Sequence, residues 1–195
     1  MKKGIIVGFC LVLLGSGAFA LEKAAGGGLL GGYTFQGGTE SLYGYNYEWT
    51  FNRGSFGACA FFGLSQWVEF NLAFMYKSGE AEVTVEGTTT SVPDEGVPQP
   101  TSALGFGVYG KYPIPISDAF VFFPTGGVDV ELNFEKDWWS DIWIRGGLGI
   151  DFFFTDTLFL RSHLIYGVVL PFGDTELSPQ VGHGLLAKAA VGFMF

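Results

Sequence analysis

The residues of this chain that are best suited to chemistry are ionisable side chains that share one phase of a two-residue repeat. They are Glu69, Lys111, Asp129, Glu131, Arg145, Asp151, Arg161, His163 and Lys188. Acids and bases are mixed along this phase, and buried charges must be paired. Mutual ion pairing in an enclosed space is therefore the chemistry that this set suits best.

A tight turn makes one of these pairs specific. If Phe154 lies opposite Leu158 across the turn at residues 155–157, Asp151 faces Arg161, and side chains directly opposite on neighbouring strands interact. We predict an ion pair between them. The remaining cations of the set, apart from His163, are candidates to neutralise the remaining acids. We interpret the set as a polar plug; a selective pore or a small-ligand site is the alternative.

Catalysis has little support in the sequence. His163 could pair with Asp151 or Glu131, but no serine is placed beside them by a recognisable motif, and neighbouring Ser162 falls in the opposite phase. The Gly-x-Gly pairs at 105–107 and 147–149 complete no phosphate-binding fingerprint. They fit better as glycines that relieve crowding in a narrow lumen. We predict no catalytic, cofactor or metal site.

The elements that position these charges are β-strands, because the apolar residues recur with a period of two. Arg145 and Asp151 alternate with bulky apolar residues between positions 142 and 154. A soluble barrel turns its apolar phase inward, but here the charged phase is narrow and rich in glycine. This pattern predicts a barrel with lipid outside and polar residues inside.

Eight strand-like runs follow one another along the chain. They cover residues 26–36, 55–64, 67–77, 103–112, 120–132, 141–154, 158–172 and 184–195. Most match the ~9–11 residues that a tilted membrane strand needs. Pro124 cannot donate to a closed ladder, so we expect the fifth strand to begin after it or to bulge there.

The predicted connections alternate between long and short. The long ones are 37–54, 78–102, 133–140 and 173–183, and the short ones are 65–66, 113–119 and 155–157. Outer-membrane barrels show this asymmetry, with tight periplasmic turns and longer external loops. Tyr43, Tyr45, Tyr47 and Trp49 make the first long loop our best candidate for contact with a partner. Trp138 and Trp139 lie in the third; with Trp67, Tyr76, Tyr112 and Tyr166 they suit an interfacial aromatic belt.

Composition and the N-terminus narrow the class of protein. The chain has 195 residues and a formal net charge of −9, which argues against nucleic acid as a partner because phosphate binding needs a basic patch. Residues 1–20 resemble a cleaved signal peptide, with Lys2 and Lys3, an apolar stretch, and a small-x-small site at Ala18-Phe19-Ala20. Without that leader only Cys59 remains, so we expect no internal disulfide.

The last run alternates apolar residues and ends in Phe195. It resembles the closing strand of Gram-negative and spirochaete outer-membrane barrels, whose C-terminal aromatic residue is read by the barrel-assembly machinery. Phe193 and Phe195 would be this assembly signal. Together with the leader and the eight runs, it resembles small barrels of the OmpX, OmpA-domain and OmpW kinds. The OmpW kind implies diffusion of small hydrophobic molecules through the wall.

We therefore predict an all-β protein, an eight-stranded antiparallel transmembrane β-barrel formed by residues 21–195 in a bacterial outer membrane. We expect a non-enzymatic protein with a structural role or passive uptake of small molecules. The alternative is an adhesin that acts through loops 37–54 and 78–102 on a host ligand. A third possibility, a soluble carrier of the lipocalin type, would bury Leu148 and place Arg145 in solvent.

Overall fold

The computed structural model describes residues 25–42, 45–85, 87–91, 101–134, 140–172 and 181–195. Ten β-strands account for nearly all of them. They are β1 (Ala25–Leu42), β2 (Tyr45–Ser65), β3 (Val68–Val85), β4 (Thr88–Ser91), β5 (Thr101–Lys111), β6 (Ile114–Ser117), β7 (Phe120–Asn133), β8 (Ser140–Phe153), β9 (Leu158–Phe172) and β10 (Gly182–Met194). None of the described residues forms a helix long and apolar enough to cross a membrane.

Eight of these strands close into an antiparallel ring. Its order is β1, β2, β3, β5, β7, β8, β9 and β10, and β10 pairs back with β1 from Gly26↔Met194 to Gly37↔His183. The short strands β4 and β6 lie off the ring and pair with β3 and β7. The ring confirms the predicted eight-stranded antiparallel barrel. Closure leaves none of the eight strands with an unpaired edge, as hydrocarbon requires.

The two faces of the wall have opposite chemistry. Outside, Phe74 and Leu148 are 54% and 48% exposed, whereas the inward-pointing Arg145 and Arg161 are each 5% exposed. Apolar side chains therefore cover the exterior and charges fill the bore. This arrangement is the reverse of a lipocalin-type carrier, and it confirms the orientation predicted from the sequence.

The apolar exterior is a band with aromatic residues at both margins. Trp67 stacks on Tyr112 at 5.0 Å near the end of the barrel that carries the short turns, and Phe56 lies 5.3 Å from Tyr76 at the opposite margin. From Val68 to Tyr76 the band covers about 26 Å along β3 at ~3.3 Å per residue. Strands of such barrels tilt by ~35–45°, so this length spans a height of roughly 20 Å, against the ~25 Å apolar band of membrane barrels.

The prediction of loops at 37–54 and 78–102 is wrong over much of their length, because these residues continue the strands. β1 and β2 stay paired to Leu42↔Tyr45, β3 continues to Val85, and β4 pairs back on it. Beyond the band the alternation inverts, because Phe51 points inward while exposed Glu80 points outward into water. Strands that are predicted from an apolar outward phase therefore end at this inversion. We call residues 37–42, 45–54 and 78–85 the sheet extension.

Pro124 also departs from expectation, because β7 runs through it without a break or a shift of register against β8. Its carbonyl oxygen accepts a hydrogen bond from the backbone N–H of Tyr112 at 3.0 Å. In a strand the N–H and C=O of a residue point to the same neighbour. The missing N–H therefore faces the gap between β5 and β6, where the ladder is already interrupted.

Several expectations lie outside the described residues. They concern the leader at 1–20, Tyr43, the tryptophans Trp138 and Trp139, and residues 92–100.

A charge on the lipid face gives a test of the orientation. Leu148 lies near the middle of the outward face of β8, and we expect Leu148→Arg to lower the free energy of unfolding in lipid vesicles by ~2–4 kcal/mol. Glu80→Arg, on the exposed face of the sheet extension, is the control and should leave it nearly unchanged. Equal urea midpoints for both variants would contradict a lipid-facing exterior.

Candidate functional site: the charged bore

The candidate site is the bore, and three contacts cross its full diameter. They join Arg53 of β2 to Asp141 of β8, Lys188 of β10 to Tyr109 of β5, and Arg161 of β9 to Glu69 of β3. In each case the two strands are four positions apart in either direction around the ring. The contacts lie at the loop end, the middle and the turn end of the barrel.

Arg161 organises the turn end. Asp151 is its register partner and accepts from Nε and Nη2 at 2.6 and 2.8 Å, which is the ion pair expected from the turn. Nη1 reaches across the bore to both oxygens of Glu69 at 2.8 and 3.0 Å. Lys111 donates to the same carboxylate at 2.5 Å, and the guanidinium lies 4.1 Å from the centre of the Phe61 ring. Two acids and two bases thus neutralise one another.

Arg145 organises the next cluster toward the loop end. It donates to Asp129 at 2.9 Å and to Glu131 at 3.2 Å, and it lies over the Trp143 ring at 4.0 Å. The Tyr109 hydroxyl donates to the second oxygen of Asp129 at 2.7 Å. Both oxygens of this carboxylate are therefore occupied by donors.

The loop end holds polar residues that the sequence-derived network lacks. Lys77 donates to Glu131, and Arg53 donates to Gln36 and lies 3.5 Å from Asp141. The side chains of Lys77, Arg53 and Asp141 are almost fully buried. Lys77 stands in the inward phase of its predicted run. Arg53 lies two residues before the predicted start of β2, so extending that phase would have found it.

The last two residues of the predicted set have no ion-pair partner among the described residues. His163 packs against the edge of the Phe123 ring at 5.5 Å. Lys188, its register partner on β10, lies 5.6 Å from the centre of the Tyr109 ring. Lys188 forms no direct ion pair, because Arg145 and Lys77 hold Asp129 and Glu131, but its charge acts on both carboxylates from a greater distance.

Inward glycines make room for the long charged side chains. A Cβ at Gly167 would lie 2.6 Å from Cγ of Arg145, and one at Gly107 would lie 2.6 Å from Cβ of Asp129. Real Cβ atoms essentially never approach so closely. The glycines of the charged phase thus let the ion pairs lie flat against the wall, as the crowding argument from the sequence predicts.

Two small cavities lie inside the described part of the bore. One cavity of about 60 Å³ lies between the loop end and the middle, and one of about 50 Å³ lies between the middle and the turn end. Among the described residues no group of three or more His, Cys, Asp and Glu side chains is arranged to hold a metal ion. The chemistry of this arrangement is ion pairing, which holds opposite charges together across the barrel.

The C-terminal aromatic residues lie on the outer surface. Phe193 and Phe195 are 57% and 84% exposed, and the N–H of Phe195 donates to the carbonyl of Ala25 at 2.8 Å. The end of the chain is thus tied to the first strand while both rings remain accessible.

A closed ring of eight strands with an apolar exterior and an ion-paired bore is the architecture of small outer-membrane β-barrels. The outer membrane protein OprG from Pseudomonas aeruginosa has a similar structure, with a TM-score of 0.56 and 13% identity over 89% of this chain and 97% of that one. The N-terminal β-barrel domain of Pseudomonas aeruginosa OprF aligns over 87% of this chain and 99% of its own, with 14% identity and a TM-score of 0.40. The sequence matches no protein-family model and no curated protein. At 13% identity the likeness to OprG shows a shared fold.

The turn-end cluster gives a test of the bore. We expect Arg161→Met to lower the free energy of unfolding by ~3–5 kcal/mol, because it leaves Asp151 buried without its partner. Restoring neutrality with Asp151→Asn in the same chain should recover part of the loss in urea titrations. Lys111→Met is the matched control, since Glu69 keeps Arg161, and its effect should be smaller. An unchanged midpoint for Arg161→Met would contradict a structural role for the cluster.

Proposed function

We propose that this protein is a non-enzymatic, integral outer-membrane barrel whose bore is closed and whose role is structural. The observation that carries the proposal is the set of three contacts across the bore diameter. An eight-stranded barrel has an interior just wide enough for side chains to fill. In our proposal the surrounding lipid is the main partner, and Phe195 presents the chain to the barrel-assembly machinery.

Passive transport fits these contacts less well. A solute that follows the bore would have to separate Arg161 from Glu69 and Arg53 from Asp141, and breaking a buried ion pair is strongly unfavourable. A hydrophobic molecule would meet these charges as well. The ring pairs are continuous along the lipid-facing band, which argues against an exit through the wall in this conformation.

Flux through the reconstituted protein tests the closed bore. We expect vesicles that contain the barrel to swell in isosmotic arabinose no faster than protein-free vesicles, because the diametric contacts obstruct the path. A general porin at the same protein-to-lipid ratio is the positive control. Rapid swelling, or a steady single-channel conductance in planar bilayers, would show an open bore and refute the structural role as stated.

Surface recognition is a second candidate, and the sheet extension favours it. The strands β1, β2 and β3 stay paired well past the apolar band, and their outward positions Glu48, Glu80 and Glu82 are exposed. Trp49 packs against Gly38 and Gly182 at the loop end of the barrel. The result is an ordered acidic ledge, which suits a partner with a basic surface.

Shortening this ledge separates the two candidates. Replacing residues 39–48 by an Asn-Gly turn keeps the β1–β2 register and leaves the membrane band intact. If the ledge binds a partner, bacteria that display the shortened protein should adhere less to cultured epithelial cells at equal surface levels. Glu80→Lys with Glu82→Lys should weaken adhesion in the same direction. Unchanged adhesion in both would exclude recognition through the ledge.

A further inference from the structure

Lys188 is a cation of the bore that has no ion-pair partner among the described residues. Its side chain points inward from the middle of β10, between its register partners Gly32 and His163. Among the described residues it joins no ion pair, and the aromatic ring of Tyr109 faces it across the bore. The carboxylate of Asp129 is already held by Arg145 and by the Tyr109 hydroxyl.

The side chain of Lys188 borders open space in the bore. Two cavities of the described bore both have Lys188 and Asn71 in their walls. Lys188 is half-buried although it points inward, so its accessible surface faces these cavities. The larger one, of about 60 Å³, has room for roughly four water-sized particles.

Among the described side chains of the bore, inward cations outnumber inward acids by one. Six cations point inward: Arg53, Lys77, Lys111, Arg145, Arg161 and Lys188. Five acids face them: Glu69, Asp129, Glu131, Asp141 and Asp151. Each acid has an ion-pair partner, and the cation left over is the one that lines the cavities. A buried charge without a direct partner is strongly unfavourable unless a counter-ion or a hydrogen-bond network compensates it. Asp129 and Glu131 act on Lys188 only from beyond ion-pair distance.

We propose that the middle of the bore binds one small monovalent inorganic anion, of the size of chloride or bromide, at the Lys188 ammonium. The bound anion gives the Lys188 ammonium the direct counter-ion that the ion-pair network does not supply. The amide of Asn71, which lines both cavities with Lys188, can supply N–H donors, and the imidazole of His163, in the wall of the second cavity, can supply one more. Larger organic anions are excluded by the size of the cavities and by the contacts that close the bore above and below.

Bromide tests this site directly, because it replaces chloride and scatters anomalously. The protein, purified from membranes in detergent, is crystallised in sodium bromide, and we expect an anomalous peak within hydrogen-bond reach of the Lys188 Nζ. In solution, its thermal midpoint should rise by roughly 3 °C when bromide replaces gluconate at constant ionic strength. Lys188→Met should lose both effects. Lys111→Met, which removes an inward lysine that is paired with Glu69, is the matched control and should keep both.

The outcomes separate clearly. A wild-type map without a bromide peak at Lys188, or a midpoint that follows ionic strength alone, overturns the site and indicates a neutral lysine or bound water. A peak that persists in Lys188→Met overturns the role of the lysine. If Lys188→Met does not assemble, Lys188→Arg keeps the charge and should keep the bromide response, and the wild-type map still decides.

Discussion

The structure depends on one constraint, which is that backbone N–H and C=O groups cannot remain unpaired in hydrocarbon. Strands satisfy it only by closing on themselves, as β1 and β10 do. Closure then forces two unlike faces on every strand. Within the membrane band the outer face must be apolar because it meets lipid, and there polar residues can be placed only in the bore. The position of the charged network inside the bore is thus a consequence of closure.

The number of strands then decides what the bore can be. With eight strands the walls are close enough for arginine to reach from β9 to β3, or from β2 to β8. Charges in so narrow a space have little water to hydrate them and must pair. Glycines at positions such as Gly107 and Gly167 supply the room that these side chains need. An eight-stranded barrel with a charged bore therefore requires both ion pairing and a high glycine content.

The sequence predicted the parts of this solution that obey a period of two. It gave the eight ring strands, the inward set of charges and the Asp151–Arg161 pair, because a tight turn fixes the register of neighbours. It missed Arg53 with Asp141, since contacts across the bore follow from ring geometry rather than from spacing in the chain. It also assigned the sheet extension to loops, because the outward phase there meets water and carries polar residues instead of apolar ones.

The sheet extension is the part of the fold that lipid does not explain. Beyond the apolar band, water can satisfy unpaired backbone groups, so β1 and β2 could end at the membrane surface without penalty from hydrocarbon. They instead stay in register to Leu42↔Tyr45, and β3 accompanies them to Val85. Ordering a residue costs about 1–2 kcal/mol of backbone entropy, which inward packing around Phe51 and Trp49 must offset. The sheet extension thus presents an ordered, acidic surface outside the apolar band. Because lipid does not explain its cost in entropy, this surface is the part of the protein to test for a role beyond spanning the membrane.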